Sequence, residues 1–205
     1  MKPKFKNVTR LFIISTIILS IIISFAGCGK KSHPSADSRD YTLYECNGRV
    51  ITLQTKIEID KEGEYFGKIQ GNIFTVVTDP LTMYDVNDNK LAHAGDTYHF
   101  INQDSHGIYI GRELMYEMVG KFEWMGQEYE IYDYDENYIG KLKFSPGNFN
   151  GMLTDAKGNI VAEYDSLFGF KDFEVIIYDN CEIDEVSVLM MFGSYYSDYH
   201  YDAEQ

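Results

Sequence analysis

Short alternations of apolar and polar residues recur along most of this chain. They are seen at Ile57 and Ile59, at Tyr129 and Ile131, at Leu142 and Phe144, and at Phe173, Val175 and Ile177. A period of two predicts strands with one buried and one solvated face, as in antiparallel sheets and barrels. With Tyr41–Glu45, Val50–Thr55 and Ile73–Val77 added, we expect about a dozen strands, enough to close a barrel around a helix.

An eight-residue pattern marks the reversals between these strands. Each copy has Asp first, a turn-forming residue fourth or fifth, an apolar residue seventh and Gly or Ala last. The copies span residues 60–67, 85–92, 104–111, 133–140 and 155–162. Asp, Asn and Gly suit a tight turn, and a small final residue lets a neighbouring backbone approach. The copies are unevenly spaced, so we expect similar hairpins in one sheet rather than a solenoid.

Residues 184–202 follow a different pattern, which predicts one helix. From Val188 to Gly193 there is no charge, and the helix is apolar on nearly every face. Such a helix must be buried on every face, and it is too short to cross a bilayer. The expected fold is mainly β: a closed antiparallel β-barrel of about twelve strands around a buried C-terminal helix.

Two acidic residues bracket this helix. Asp184 is placed to cap its first turn, where a carboxylate accepts hydrogen bonds from unpaired backbone N–H groups. Asp198 lies near its end, where a negative charge is unfavourable without a partner. We therefore expect a donor from the barrel wall, such as Arg112, Trp124 or a backbone N–H, to bond Asp198.

The first 27 residues have the features of an export signal. Lysines and an arginine precede an apolar core from Leu11 to Phe25, and small residues lead to Cys28. The segment resembles a bacterial lipoprotein signal, although Phe25 replaces the usual Leu three before the cysteine. That resemblance implies cleavage after residue 27 and lipidation of Cys28. Acyl chains would then hold the protein on the extracytoplasmic face of the cell membrane. The alternative is an uncleaved N-terminal membrane anchor.

The segment after the leader divides into a tether and one strongly acidic domain. Residues 28–40 are too polar to pack and predict a flexible spacer, which leaves residues 41–205 for the barrel. The chain has 18 Lys and Arg against 32 Asp and Glu. Four of the basic residues lie in the leader, so 14 face 32 after it, a formal charge of −18. Nucleic acid and anionic head groups are therefore unfavourable partners.

The hairpins and the terminal helix together resemble the tubby-like superfamily, which includes phospholipid scramblases and the LURP-one-related proteins. The likeness covers residues 51–202. It rests on the Asp133 and Asp155 turns, Asp172-Phe173-Glu174-Val175, Ile183-Asp184, the apolar run from Val188 to Phe192, and Asp198. The resemblance implies a closed barrel of about twelve strands around the C-terminal helix, in agreement with the residue pattern.

The sites of that superfamily do not carry over residue by residue. Scramblases have a Pro-containing segment and a calcium-binding acidic stretch before the helix, where this chain has residues 178–182 without Pro. Tubby domains bind phosphoinositides through clustered Lys and Arg, whereas this acidic domain has only scattered pairs such as Lys141 and Lys143. The resemblance therefore implies an architecture, and it leaves the ligand open.

Metal and catalytic signals are sparse. Asp133-x-Asp135-x-Asn137 and Asp85-x-Asn87-x-Asn89 have the opening spacing of a calcium loop but lack its Gly, so we interpret both as turns. A denser acidic group beside the helix is the calcium candidate, comprising Asp172, Asp179, Glu182 and Asp184. The five histidines show no zinc spacing, and no nucleophile elbow, P-loop or dinucleotide fingerprint is present. We therefore expect no cofactor and no catalytic residues.

Cysteines and tyrosines leave alternatives open. Cys46 and Cys181 either form a disulfide, which export permits, or are two small buried residues. Four tyrosines crowd the helix end, at positions 195, 196, 199 and 201. They either form an aromatic binding mouth or fill the wide end of the barrel with their hydroxyls in water. We favour two small buried cysteines without a disulfide, and tyrosines that fill the wide end of the barrel.

The expected function is therefore a membrane-anchored, non-enzymatic binding or interaction module. A phospholipid or another envelope protein is the expected ligand. The alternative is a calcium-responsive, lipid-handling protein of the scramblase type.

Overall fold

The computed structural model describes residues 39–51, 54–72, 81–96, 105–121, 127–145, 150–166 and 172–203. Side chains at 50–51, 72, 96 and 198–203 lie outside this description. The leader, Cys28, the tether up to Ser38 and the strand expected at Ile73–Val77 also fall outside it.

Within the described residues, twelve strands pair in sequence order, and the last strand pairs with the first. All pairs are antiparallel, which closes the barrel. The elements are β1 (Tyr41–Ile51), β2 (Gln54–Lys61), β3 (Glu64–Asn72), β4 (Leu81–Asp85), β5 (Lys90–Asp96), β6 (Ser105–Ile110), β7 (Glu113–Lys121), β8 (Glu128–Asp133), β9 (Tyr138–Phe144), β10 (Asn150–Asp155), β11 (Ile160–Ser166), β12 (Asp172–Tyr178) and the helix α1 (Glu185–Ala203). The predicted closed barrel of about twelve strands with a C-terminal helix is confirmed.

The alternating residues predicted to face inward line the interior. Ile57, Ile59, Ile131, Leu142 and Phe144 are all fully buried. One predicted strand is wrong, however. Residues 50–55 do not form a single strand, because β1 ends at 51 and β2 begins at 54. The sequence pattern did not reveal this boundary, because apolar content alone does not show where a chain changes direction.

Three hairpin turns share one hydrogen-bonded structure, in which an Asp is followed four residues later by an Asn. In the β10–β11 turn, the backbone N–H groups of Lys157 and Asn159 donate to Asp155 Oδ1 at 2.9 and 2.8 Å. The Asn159 amide donates to Oδ2 of the same carboxylate at 2.8 Å. Equivalent bonds close the turns that begin at Asp85 and Asp133. The fourth turn residue has positive φ in each, which suits Gly158 at +85°.

The predicted reversal at residues 104–111 is wrong. Residues 105–110 form strand β6, and the chain turns at Gly111 and Arg112 instead. Gly111 adopts φ +65°. The copies at 60–67 and 104–111 both lack an Asn four residues after the Asp, yet the first of them turns as predicted, at 62–63.

The small residue that ends the hairpin pattern allows close strand contact in two copies. A Cβ added to Gly140 would lie 2.0 Å from the Thr154 carbonyl oxygen, and one added to Gly67 would lie 2.2 Å from that of Tyr84. A Cβ would force the strands apart at either position. The prediction that a small residue permits close backbone approach is confirmed there.

Most of the described side chains of helix α1 are buried. Residues 188–196 are nearly inaccessible, and Phe192 packs against the rings of Phe144 and Tyr164. Tyr195 and Tyr196 also fill the interior, but their hydroxyl oxygens are buried rather than in water, contrary to expectation. Within the described residues, no helix is both long and apolar enough to span a membrane.

The two ends of the barrel differ. One end, here called the turn end, carries the tight turns at 62–63, 86–89, 111–112, 134–137 and 156–159, together with the connection 179–184 that leads into α1. Strand β1 also begins there, because Tyr41 pairs with Tyr178. Among the described residues, Arg39 already contacts the barrel, two residues before the expected boundary. The Arg39 guanidinium covers the Tyr178 ring at 3.6 Å and donates to the Ile160 carbonyl at 2.7 Å.

Candidate functional site

The start of α1 is fixed by Asp184. Its Oδ1 accepts a hydrogen bond from the Ser187 N–H at 2.9 Å, and its carbonyl accepts from the Val188 N–H at 3.1 Å. The side-chain bond satisfies a backbone donor that the first turn leaves unpaired, and the bond to the Val188 N–H is the first regular hydrogen bond of the helix. Asp184 is therefore the N-cap residue, and its position sets where the helix enters the barrel.

A second contact joins the helix start to the barrel wall. The hydroxyl of Tyr44 and the ammonium of Lys61 both donate to Glu185 Oε2, the latter at 2.7 Å. Burial raises the pKa of Tyr44, and the bond to Glu185 raises it further. Desolvation raises the pKa of Glu185, but the bonds from Lys61 and Tyr44 outweigh it and leave that pKa below its usual value. The group therefore stays ionised and attached at neutral pH.

A cleft of about 460 Å³ opens beside the helix start, and we call it the turn-end cleft. Its volume lies within the range of roughly 300–1,000 Å³ that is typical of ligand pockets. Its wall combines two hairpin turns with strand β7 and the connection into α1. The lining residues are Met115, Tyr116, Asp133, Tyr134, Tyr138, Ile139, Asp155, Ala156, Lys157, Val161, Asn180, Glu182 and Ile183.

Two tyrosines form the rim of the turn-end cleft. Tyr134 is 68% exposed and Tyr138 is 42% exposed. The Tyr138 ring packs edge-to-face on Tyr132, with centroids 5.9 Å apart, which restricts its orientation. Tyrosine offers a large amphipathic surface at a low cost in side-chain entropy, which suits it to binding.

The two hairpin turns that line the turn-end cleft each hold a carboxylate in the ionised state. Hydrogen bonds from the Asn137 side chain and backbone hold the pKa of Asp133 below its usual value. The Asn159 side chain does the same for the pKa of Asp155, with smaller effects from backbone N–H groups and Lys157. The turn-end cleft therefore has rigid, negatively charged edges.

Tyr116 on strand β7 also lines the turn-end cleft. Tyr116 is half-buried there, and desolvation raises the pKa of its hydroxyl. The charge of Asp184 raises that pKa next, followed by Cys181 and Asp133. The raised pKa of Tyr116 therefore reflects burial first and the negative charge of its neighbours second.

A second, smaller cleft of about 290 Å³ lies on the outer face of strands β11, β12, β1 and β2. Four acidic residues stand in register across these strands, and we call them the acidic row: Asp165, Glu174, Glu45 and Asp60. Like charges on directly opposed residues destabilise a sheet. Asp172 lines the same cleft and accepts a hydrogen bond from the Asn47 amide at 2.6 Å.

The structure does not bring the four calcium candidates together. Asp172 begins β12 and Asp179 follows its end, so about 20 Å of strand separates them. Glu182 lines the turn-end cleft, and Asp184 is engaged as the N-cap. Across the described residues, no group of three or more His, Cys, Asp or Glu is arranged to hold a metal.

The remaining predicted residues have separate positions. Cys46 and Cys181 are free thiols, so the disulfide alternative is wrong. Burial raises the pKa of both thiols.

Asp198 lies in α1, but its side chain is outside the described residues, as are Trp124 and Cys28.

The basic pair Lys141 and Lys143 is already engaged. Glu128 Oε2 lies 3.7 Å from Lys141 Nζ and 3.1 Å from Lys143 Nζ. Glu128 on β8 is opposite Lys143 on β9, so the sheet register brings these charges together. The pair therefore forms part of an ion-pair cluster on the barrel wall.

The alternative of an aromatic binding mouth was placed at the tyrosines of the helix end, whereas the exposed tyrosines of the turn-end cleft lie elsewhere. Tyr195 and Tyr196 belong to the core, whereas Tyr134 and Tyr138 flank a turn and are exposed. An aromatic residue inside an Asp-x-x-x-Asn turn is the signal that was available, since such turns usually carry small polar residues.

No family model, no curated protein and no solved structure matches this chain. The resemblance to tubby-like domains therefore stays a prediction based on residues, whereas the barrel itself follows from the strand pairing.

Proposed function

We propose that this protein is a lipid-anchored, extracytoplasmic binding protein of the tubby-like kind, with no catalytic role. Its ligand, an envelope protein, occupies the turn-end cleft. The observation that carries this proposal is the pair of exposed tyrosines, Tyr134 within and Tyr138 directly after a single hairpin turn that hydrogen bonds to Asp133 make rigid. Binding groups on a rigid scaffold lose little entropy when a ligand arrives.

The position of Arg39, where the described chain begins, also supports a partner near the membrane. Arg39 contacts the Ile160 carbonyl, and Val161 beside it lines the turn-end cleft. The 11 residues from Cys28 to Arg39 reach about 40 Å at most when fully extended. A lipidated Cys28 would therefore keep the turn-end cleft within about this distance of the membrane surface.

Lipidation is tested with a fatty-acid probe in cells. Cys28→Ala should abolish labelling, whereas Cys181→Ala, which removes the half-buried thiol, should leave it unchanged. Labelling that survives Cys28→Ala would contradict the anchor.

The binding site is tested by placing a photo-crosslinking amino acid at Tyr134 in the full chain and irradiating whole cells. The matched control carries it at Tyr65, which is 49% exposed at the same end but does not line the turn-end cleft. We expect a discrete adduct from position 134 that weakens when Tyr138→Ala is added. The same adducts from both positions, or none from 134, would contradict the proposed site. Repeating the experiment with calcium and with a chelator tests the calcium-responsive alternative.

A further inference from the structure

The charges around the turn-end cleft are unbalanced. Asp133 and Asp155 are held ionised by their turns, and Glu182 adds a third carboxylate. Among the described residues that line the turn-end cleft, Lys157 is the one cation. Within the described part of the chain, neither Lys157 nor Glu182 forms an ion pair. The lining therefore has an excess of negative charge, with one carboxylate available to a ligand.

The rim adds a second feature that favours cations. The ring faces of Tyr134 and Tyr138 are accessible, and the face of a tyrosine ring attracts ammonium and guanidinium groups. The chain already uses this interaction nearby. The Arg39 guanidinium lies 3.6 Å from the centre of the Tyr178 ring while it donates to the Ile160 carbonyl.

The apolar part of the lining suits the rest of such a side chain. Met115, Ile139, Val161 and Ile183 provide aliphatic surface between the acidic edges. Lys and Arg carry methylene stems that pack on apolar surface while their charged ends stay among polar groups. A small inorganic cation would leave this surface exposed.

We propose that the turn-end cleft binds a Lys or Arg side chain from an extended basic segment of a partner protein. The charged end lies among Glu182, Asp133 and the tyrosine faces, and the stem lies on the apolar floor. This inference rests on the proposed function, because it names the chemistry of the ligand at the same site.

The test measures binding of short peptides to the full chain in detergent micelles by calorimetry. Four Gly/Ser peptides of equal length carry Lys, Arg, Gln or Glu at the same positions. We expect the Lys and Arg peptides to bind at least about tenfold more tightly than the Gln peptide and the Glu peptide to bind least. Added salt should weaken binding of the cationic peptides.

Substitutions of residues that line the cleft should either weaken or tighten binding of the Lys peptide. Glu182→Gln and Tyr134→Ala should each weaken binding of the Lys peptide by about fivefold or more. Lys157→Ala removes a competing positive charge and should tighten it. Glu64→Gln and Tyr65→Ala, matched changes at the same end outside the cleft, should leave it unchanged. Thermal melting of every variant verifies that the fold persists.

The acidic row is the competing site for a basic peptide, and Glu45→Gln tests it. Binding that is lost in Glu45→Gln and retained in Glu182→Gln would overturn the inference. Equal affinity for the Lys, Gln and Glu peptides would also overturn it. If the adduct from position 134 still forms in cells, the proposed function survives that outcome and only the basic ligand is wrong.

Discussion

The Tyr44 hydroxyl on strand β1 donates a hydrogen bond to the Glu185 carboxylate in the first turn of the helix. Lys61 on strand β2 donates to the same oxygen. Two neighbouring strands thus hold the residue that follows the N-cap. The helix is attached to the wall by polar bonds where it enters the barrel and by apolar packing further inside.

This attachment predicts a pH-dependent contribution to stability. The folded pKa of Glu185 lies below its usual value of about 4.3. Its contribution is therefore fully present above that value and is lost as the pH falls through the folded pKa. Glu185→Gln should lower the free energy of unfolding at neutral pH by on the order of 1 kcal/mol, a figure reduced for solvent screening.

Urea unfolding of both proteins from neutral to acidic pH checks this prediction. The difference between them should shrink as the pH falls below about 4. Glu64→Gln, at an exposed position of the same end, should show little effect at any pH. A difference that stays constant with pH would mean that Glu185 acts through shape and not through charge.

The N-cap gives a second prediction. Asp184→Ala removes the acceptor of the Ser187 N–H and should cost about 0.5–2 kcal/mol of stability. Asn is a comparable N-cap residue, so Asp184→Asn should retain most of that stability. Denaturant midpoints of the two variants check the order. Equal losses in both would show that the charge of Asp184 matters more than its hydrogen bond.

Local patterns predicted the interior of the barrel well. Alternation identified residues such as Ile57 and Leu142 because one face of each strand packs against the core. The turns were predicted correctly where an Asn follows the Asp by four residues, since that pair makes most of the hydrogen bonds of the turn. The copy at 60–67 also lacks that Asn and still turns at 62–63, so the missing Asn does not by itself account for the wrong prediction at 104–111.

The candidate site was much less predictable, because it joins residues that are distant in sequence. Met115 and Glu182 line the same cleft only because the barrel closes and the helix connection crosses that end. The acidic row likewise depends on strand register, which sequence alone does not fix for outward-facing residues. The composition predicted an acidic surface, but the fold is needed to show that acidic residues lie together in the acidic row and around the turn-end cleft.

Close strand contact at Gly140 gives a third prediction. An added Cβ would lie 2.0 Å from the Thr154 carbonyl oxygen, so the backbone must move. Gly140→Ala should therefore cost about 1–3 kcal/mol or more, as overpacking does. Gly95→Ala is the matched control, because nothing lies within 4 Å of a Cβ there. Thermal melting should show a marked loss for the first and little change for the second. Similar melts for both would mean that strands β9 and β10 separate easily.

Burial of the helix gives the last prediction. Phe192 is fully buried, and its ring lies 5.6 Å from that of Tyr164 and 6.2 Å from that of Phe144. Phe192→Ala should cost about 3–5 kcal/mol, because it removes apolar contacts and leaves a cavity. Such a loss is a large part of a total stability of roughly 5–15 kcal/mol.

Met152→Ala provides the control, since Met152 is also apolar but is 45% exposed on strand β10. That change should alter stability by no more than about 0.5 kcal/mol. Both variants are compared by urea unfolding, and truncation of the chain after Ile183, which removes the whole helix, should leave no cooperative transition. A truncated chain that melts cooperatively near the temperature of the parent would show that the barrel is stable without the helix inside it.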